Sequence, residues 1–286
     1  MSEYIIFTDS CCDLDDKMIE ELAIEVIPMA VTLDGKAYSD ADYDLPDFYN
    51  RLRHGSVSST SQLNLLELVD IFRPYLEKGI DIMYIALSSG LSGTVNSAFS
   101  AAQQLMEEYP ERKVYIIDSL SASLGQGLMV YYAAQLQKQN QTITEVYEYI
   151  MEHRLNFAHW FTVDDLMFLR RGGRLSGTVA LVGTVLGIKP VLHVDNSGNL
   201  INVAKTRGRK NSLNALVECM KISSINPNGQ TVFISHGDCL EDAQYVAEEI
   251  KRILGTSDIY INYIGPVIGS HSGPGTVALF FFADGR

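Results

Sequence analysis

The sequence predicts an α/β protein in two lobes: an N-terminal parallel, helix-covered sheet over 1–160, and a C-terminal α+β layered domain with a mixed or antiparallel sheet over 161–286. Three observations carry this. Strand-like and helix-like runs alternate through the first half. The runs DIMYIAL and KVYIID are short and continuously apolar, as strands covered on both faces are. The second half holds a hairpin signal, Asn-Ser-Gly at 196–198, between two strand-like segments.

In order, EYIIFTDS reads as a strand and DLDDKMIEELA as a helix that starts near Asp13. EVIPMAVTLDG reads as one strand ending in a turn, and LPDFYNRLRHG as a short helix with a glycine stop. SVSSTSQLN is a polar loop before LLELVDIFRPYLEKG, whose apolar residues fall at helical spacing. VNSAFSAAQQLMEEY, between the two apolar strands, is rich in helix formers. NFAHWFTVDDLMFLRRGGR changes character, and the break between lobes is expected near 155–170. Beyond it come the hairpin KPVLHVDNSGNLINVAKT, a helix (SLNALVECMKI), a strand (TVFISHGD), a helix (AQYVAEEIKRILG) and two strands (DIYINYIG, TVALFFFAD).

The 286 residues suffice to bury a core without staples. A profile of 47% apolar and 20% charged residues is that of a globular chain. A formal net charge of −13 argues against general nucleic-acid binding, because a phosphate backbone would be repelled. The exception is a local basic run, TRGRK at 206–210. Cys11, Cys12, Cys219 and Cys239 form no disulfide framework. Neither His236 with Cys239 nor the Cys11–Cys12 pair meets the spacing of a closed zinc site, so no metal is expected. The start MSEYIIFTD has no signal-peptide character and no run reaches membrane-spanning length, so the cytoplasm is the expected location.

SSGLSGTVNS, at 88–97, sits where a parallel strand ends and a helix begins, the place where open α/β sheets bind ligands. Free helix-start amides and the Ser92 and Thr94 hydroxyls favour an anion there, and Gly90 and Gly93 allow a sharp turn and close approach of a ligand. Simple capping by Ser92 or Thr94 explains the same residues. A nucleophile elbow lacks its last glycine here, since Thr94 stands in its place, and a phosphate-binding P-loop lacks its lysine. STSQ at 59–62 offers hydroxyls and an amide, or a capped loop in which Thr60 or Ser61 starts the next helix. His271 in GSHSGPG lies in a glycine-rich turn, with a structural partner or a carboxylate as its alternatives. Arg170, Arg171 and Arg174 in RRGGRLSG suit phosphate or carboxylate contact, or a solvated linker. Thr8, Asp9 and Ser10 end the first strand, facing the same crevice as Ser92 or capping the next helix.

Together TDSCCDL, TSQ (60–62), SSGLSGTVNSA (88–98), IIDS (116–119), DDLMFLRRGGR (164–174), GIKPVL (187–192) and IGPVIGSHSGPG (264–275) resemble the DegV family. Its members include the fatty-acid-binding subunit of bacterial fatty acid kinase. The resemblance covers essentially the whole chain in the family's order. It implies two α/β lobes holding one long-chain fatty acid, with the tail in an apolar tunnel. It implies that Thr60, Ser92, the Gly93 amide and His271 hold the carboxylate. A kinase catalytic subunit is the implied partner, converting the bound acid to an acyl phosphate for phospholipid synthesis. The chain is then a carrier with no turnover and no cofactor, making at most transient membrane contact to acquire or deliver lipid. Arg171, Arg174, Arg207, Arg209 and Lys210 are candidates for docking the kinase. Leu63 replaces the family's usual proline after TSQ, Arg171 its usual lysine before GGR, and serines flank His271 where threonines are common. The competing expectations are a serine acyl hydrolase or acyltransferase using Ser92, and a regulatory module whose lipid is structural.

Overall fold

The computed structural model describes residues 3–39, 43–175 and 187–286. In the N-terminal part, β1 (Tyr4–Asp9), α1 (Asp16–Leu22), β2 (Glu25–Ile27), β3 (Ala30–Leu33), β4 (Lys36–Ser39), α2 (Leu45–Arg53), β5 (Ser58–Ser61) and α3 (Leu65–Glu77) come first. They are followed by β6 (Asp81–Ala86), α4 (Thr94–Glu108), β7 (Val114–Asp118), α5 (Leu124–Lys138) and α6 (Ile143–His153). The second part holds β8 (Phe157–Thr162), α7 (Met167–Arg171), β9 (Ile188–Val194), β10 (Leu200–Arg207), α8 (Arg209–Ser223), β11 (Val232–His236), α9 (Leu240–Leu254), β12 (Ile259–Tyr263), α10 (Pro266–Ser272) and β13 (Val277–Phe282).

The two-part α/β architecture expected from the sequence is present. The first sheet runs β2-β1-β6-β7 and all its pairings are parallel. Every residue of β6 is buried, which explains the apolar run that follows its first residue, Asp81. One face is covered by α3 and α4 through Leu68, Phe72, Ala98 and Leu105, the other by α5 through Leu124, Leu128 and Met129. The second sheet is mixed, in the order β10-β9-β8-β13-β11-β12, with only β11 and β12 parallel among its described strands. The expected hairpin is β9–β10, in register from Val194↔Leu200. β8 spans the expected lobe boundary at 160/161 and belongs to this second sheet. Helices α8 and α9 pack on its outer face through Leu216, Met220, Val246 and Ile250. Its inner face presents Phe157, Phe161, Phe233 and Phe280 to the same core as α5.

Four local expectations are corrected. EVIPMAVTLDG is two strands in different sheets: β2 joins the parallel sheet, and β3 joins a small antiparallel sheet in the order β4-β3-β5. Pro28, which cannot donate to a ladder, lies in the break between them. The segment expected as a polar loop contains β5, and Thr60 pairs with Val31. Neither Thr60 nor Ser61 starts the next helix. Asn64 caps α3, with Glu67 closing a capping box. The glycine-rich stretch around His271 is a short helix, α10, and not a turn; the turn comes after it, at Gly273 and Gly275 with φ of 76° and 77°. The helix expected from Asp13 starts later, capped by Asp15.

Asp9, at the end of β1, is wholly buried and accepts from the Leu87 and Cys11 amides, the Tyr84 hydroxyl and Gln126 Nε2. Burial raises its carboxyl from the ordinary value, against the pull of these donors. The side chain therefore joins β1, β6 and α5 and is no part of a solvent crevice. Replacing it strands several buried donors, so Asp9→Ala is expected to cost roughly 3 kcal/mol in a urea unfolding experiment.

Candidate functional site

Between the two sheets lies a cavity of about 270 Å³. Leu87, Leu91, Phe161, Val194, Leu200 and Phe280 give it mostly apolar walls. Its floor follows from strand alternation, because Ala278 and Phe280 share one face of β13 and lie opposite Phe161 and His159 of β8. At one end the walls turn polar, with Thr60, Gln62, Ser92, Arg174 and His271.

Each polar group is placed by a different element. Thr60 is carried by β5, and its Oγ1 lies 2.9 Å from Nε2 of His271 on α10, joining residues 211 apart in sequence. Gly172 lets the GGR loop approach: a Cβ there would overlap His271 Nδ1. Arg174 donates from Nε to the Leu91 carbonyl, 3.1 Å away, and from Nη1 to the Gly172 carbonyl, so its guanidinium is anchored beside the histidine. Burial, with Arg174 adding to it, pushes the His271 imidazole down to about 4, so it is neutral at physiological pH.

Ser92 precedes α4. Its Oγ lies 3.0 Å from Thr94 Oγ1 and accepts from the Thr94 amide at 3.2 Å, while Thr94 Oγ1 accepts from the Leu63 amide. The TSQL segment is thus tied to the start of α4. Gly93 is the N-cap of α4 and has no side chain with which to cap it. Gln62 packs on Gly93, where a Cβ would overlap its Oε1. Gly90 has a role that the sequence did not indicate. It has no positive φ, and a Cβ there would sit 2.7 Å from the Gly198 carbonyl of the β9–β10 turn, which Ser88 Oγ also contacts at 3.0 Å. Its smallness serves contact between the two lobes.

Thr60, Ser92 and His271 therefore border one cavity, with Gly93 adjacent to Ser92. Arg171 does not border it, whereas Arg174 does. Arg207 and Arg209 line neither this cavity nor the one beside it. Arg207 is exposed at the end of β10, and Arg209 is paired with Asp242 and Asp164. Lys210 lies over the Tyr245 ring. Ser176 and Gly177 of RRGGRLSG lie outside the described residues. Ser123, His159 and Ser272 also border the cavity without having been singled out as site residues, whereas the Gln62 amide of STSQ was among the candidates. The adjacency of Ser272 to His271 was a usable signal; the inward face of His159 was not, because its strand is apolar on both sides of it.

The arrangement suits a ligand with a long apolar body and one anionic end. It does not form a nucleophile triad. Among the described residues Ser92 is bonded to Thr94, and the histidine is bonded to Thr60. Within those residues no group of three or more His, Cys, Asp or Glu could hold a metal ion, and no helix is long and apolar enough to cross a membrane.

The lowered basicity of His271 makes the stability of the fold depend on pH. In the unfolded chain the imidazole titrates near 6.5, so it takes up its proton before the folded one does as pH falls. Its contribution to stability is present above about 6.5 and is lost toward about 4. At about 1.4 kcal/mol per pKa unit, His271→Gln is expected to lose roughly 2 kcal/mol less than wild type between pH 7.5 and 4.5 by chemical denaturation.

A family model described as "Uncharacterised protein, DegV family" matches residues 4–284. A DegV domain-containing protein of Clostridium perfringens is 46% identical over 99% of each chain, and one of Lactococcus lactis is 34% identical over 96% of each. Among solved structures, a DegV family protein of Thermus thermophilus, described by its fatty acid binding, superposes with a TM-score of 0.88 at 29% identity, covering 99% of this chain and 100% of the other. DegV of Bacillus subtilis, described as a fatty acid binding protein, superposes with a TM-score of 0.86 at 30% identity, with the same coverage. Alike in sequence and in fold along almost its whole length, this protein belongs to the DegV family.

Proposed function

We propose that this protein binds one long-chain fatty acid and presents its carboxylate to a partner kinase, which phosphorylates it to an acyl phosphate for phospholipid synthesis. The observation that carries the reading is the Thr60–His271 pair set at the polar end of a largely apolar cavity. The tail gains about 0.8 kcal/mol for each CH₂ taken from water. The carboxylate is held by Thr60, Ser92, the Gly93 amide and neutral His271. The fatty acid binding described for the Thermus thermophilus and Bacillus subtilis proteins supports the same ligand class.

Hydroxyls and an uncharged imidazole suit a carboxylate that has to act as a nucleophile toward phosphorus. A bidentate arginine would stabilise the free carboxylate more and oppose its transfer. On this reading the chain is a carrier that needs no cofactor, works in the cytoplasm and touches a membrane only transiently to collect or deliver lipid. Arg171, Arg174, Arg207, Arg209 and Lys210 remain candidates for contact with the kinase. Arg209 is the weakest of them, because its charge is already paired.

Mass spectrometry of an organic extract of the purified protein is expected to find about one fatty acid per chain, as a single-site apolar cavity requires. Thr60→Val, Ser92→Ala and His271→Ala are each expected to weaken binding by roughly tenfold, the worth of one hydrogen bond to a charged group. They should reduce kinase-dependent acyl phosphate formation as well. An empty protein that takes up no added acid, or labelling of Ser92 by a fluorophosphonate, would overturn the carrier reading.

A further inference from the structure

Among the apolar walls of the cavity stands a second histidine. His159, on β8, borders the cavity and is only 1% exposed. Its Nε2 lies 3.0 Å from the Ser121 Oγ, and its ring meets Phe280 edge to face with the centroids 5.3 Å apart. Its carbonyl lies 2.8 Å from Nδ1 of His193 on the neighbouring strand. Gly125 of α5 abuts one edge of the imidazole, since a Cβ there would lie 2.5 Å from Nε2 and 2.8 Å from Cδ2. The opposite edge, which carries Nδ1, is thereby turned away from the helix. That Nδ1 is buried and, among the described residues, has no hydrogen-bond partner.

Burial above all, with the charge of Arg286 adding to it, holds this imidazole well below its ordinary basicity, so the ring is neutral. A neutral imidazole has one donor and one acceptor nitrogen. The Ser121 hydroxyl serves Nε2 in either tautomer, and Nδ1 is left as an acceptor or a donor with nothing to meet. A buried polar atom in that state costs about 1–3 kcal/mol. A plain methylene tail cannot relieve it. A hydroxyl on the tail can, in either tautomer, because it both donates and accepts, whereas a carbonyl only accepts. The register gives the depth of this contact. His159 is paired with Phe280, and β13 begins at Val277, just after the turn that follows His271. At strand rise that separation is about 10 Å. An extended chain advances about 1.2 Å per bond, so the imidazole meets an acyl chain roughly eight to ten carbons from its carboxylate.

We propose that His159 is a recognition point for a hydroxyl on the acyl chain, and that long-chain fatty acids hydroxylated near mid-chain are ligands of this protein. The proposal rests on the carrier reading above and narrows its ligand class. The ligand hydroxyl pairs with Nδ1 while Ser121 keeps Nε2, and no covalent bond changes. A hydroxyl taken from water into an apolar cavity is penalised unless it finds a partner. Leu91, Phe161, Val194 and Leu200, which border the same cavity, offer none from their side chains. The site therefore selects the position of the hydroxyl as well as its presence.

The test titrates the delipidated full chain calorimetrically with stearate, 10-hydroxystearate and 5-hydroxystearate. Wild type is expected to bind the 10-isomer as tightly as stearate to within about threefold, and the 5-isomer about tenfold more weakly, the cost of an unmet buried hydroxyl. His159→Phe is expected to lower the ratio of 10-hydroxystearate to stearate affinity by about tenfold, the worth of one hydrogen bond. His159→Asn, which keeps a polar group close to the position of Nδ1, is expected to recover part of that ratio. Because the readout is a ratio on one protein sample, a general loss of folded protein does not mimic it. An unchanged ratio in His159→Phe, a wild type that favours stearate over the 10-isomer by more than about threefold, or equal affinities for the two isomers would each overturn the recognition point. A wild-type protein that binds none of the three acids would instead overturn the carrier reading.

Discussion

Helix α5 is the element on which the arrangement depends. It lies between the two sheets and is buried on both sides, with every residue from Leu124 to Val130 inside. The usual amphipathic stripe is therefore missing from its sequence, and polar residues inside it must find partners. Gln126 does so by donating to Thr8 and Asp9. Two glycines set how closely the sheets approach. A Cβ at Gly125 would lie 2.5 Å from His159 Nε2, and one at Gly127 would lie 2.6 Å from the Cys12 carbonyl. Ser123, which precedes the helix, borders the cavity.

Ser123, just before α5, has φ of 56° and ψ of −149°, a strained conformation for a residue with a side chain. Its hydroxyl donates to Asp13 and lies 2.9 Å from the Ser235 hydroxyl, and Asp13 also accepts from the Gly265 amide that precedes α10. The start of α5 and the start of α10, which carries His271, thus share one carboxylate. The depressed basicity of His271 belongs to the same architecture: an imidazole enclosed by a loop, a helix and a guanidinium stays neutral and keeps its hydroxyl partner.

The sequence revealed much of this because parallel sheets write themselves plainly. β6 and β7 are apolar but for an aspartate at one end of each, and glycines punctuate the ends of their neighbours. The 196–198 signal marked the β9–β10 hairpin for the same local reason. Short strands were harder to read. SSTS has no apolar alternation, and β5 exists because β3 offers it a partner, which is a tertiary cause. α10 was obscured by its glycines, since a helix of seven residues depends on packing more than on propensity. The site residues were found through a family pattern. Their meeting across 211 residues, and the reach of Arg174 into a cavity that Arg171 does not border, have no local signature.

The contact between Gly90 and Gly198 reaches further than its size suggests. The loop that leads to Ser92 rests on a turn whose outgoing strand, β10, is the outer edge of the opposite sheet. A macromolecule that grips this edge would press, through one carbonyl and the Ser88 hydroxyl, on the segment that opens α4.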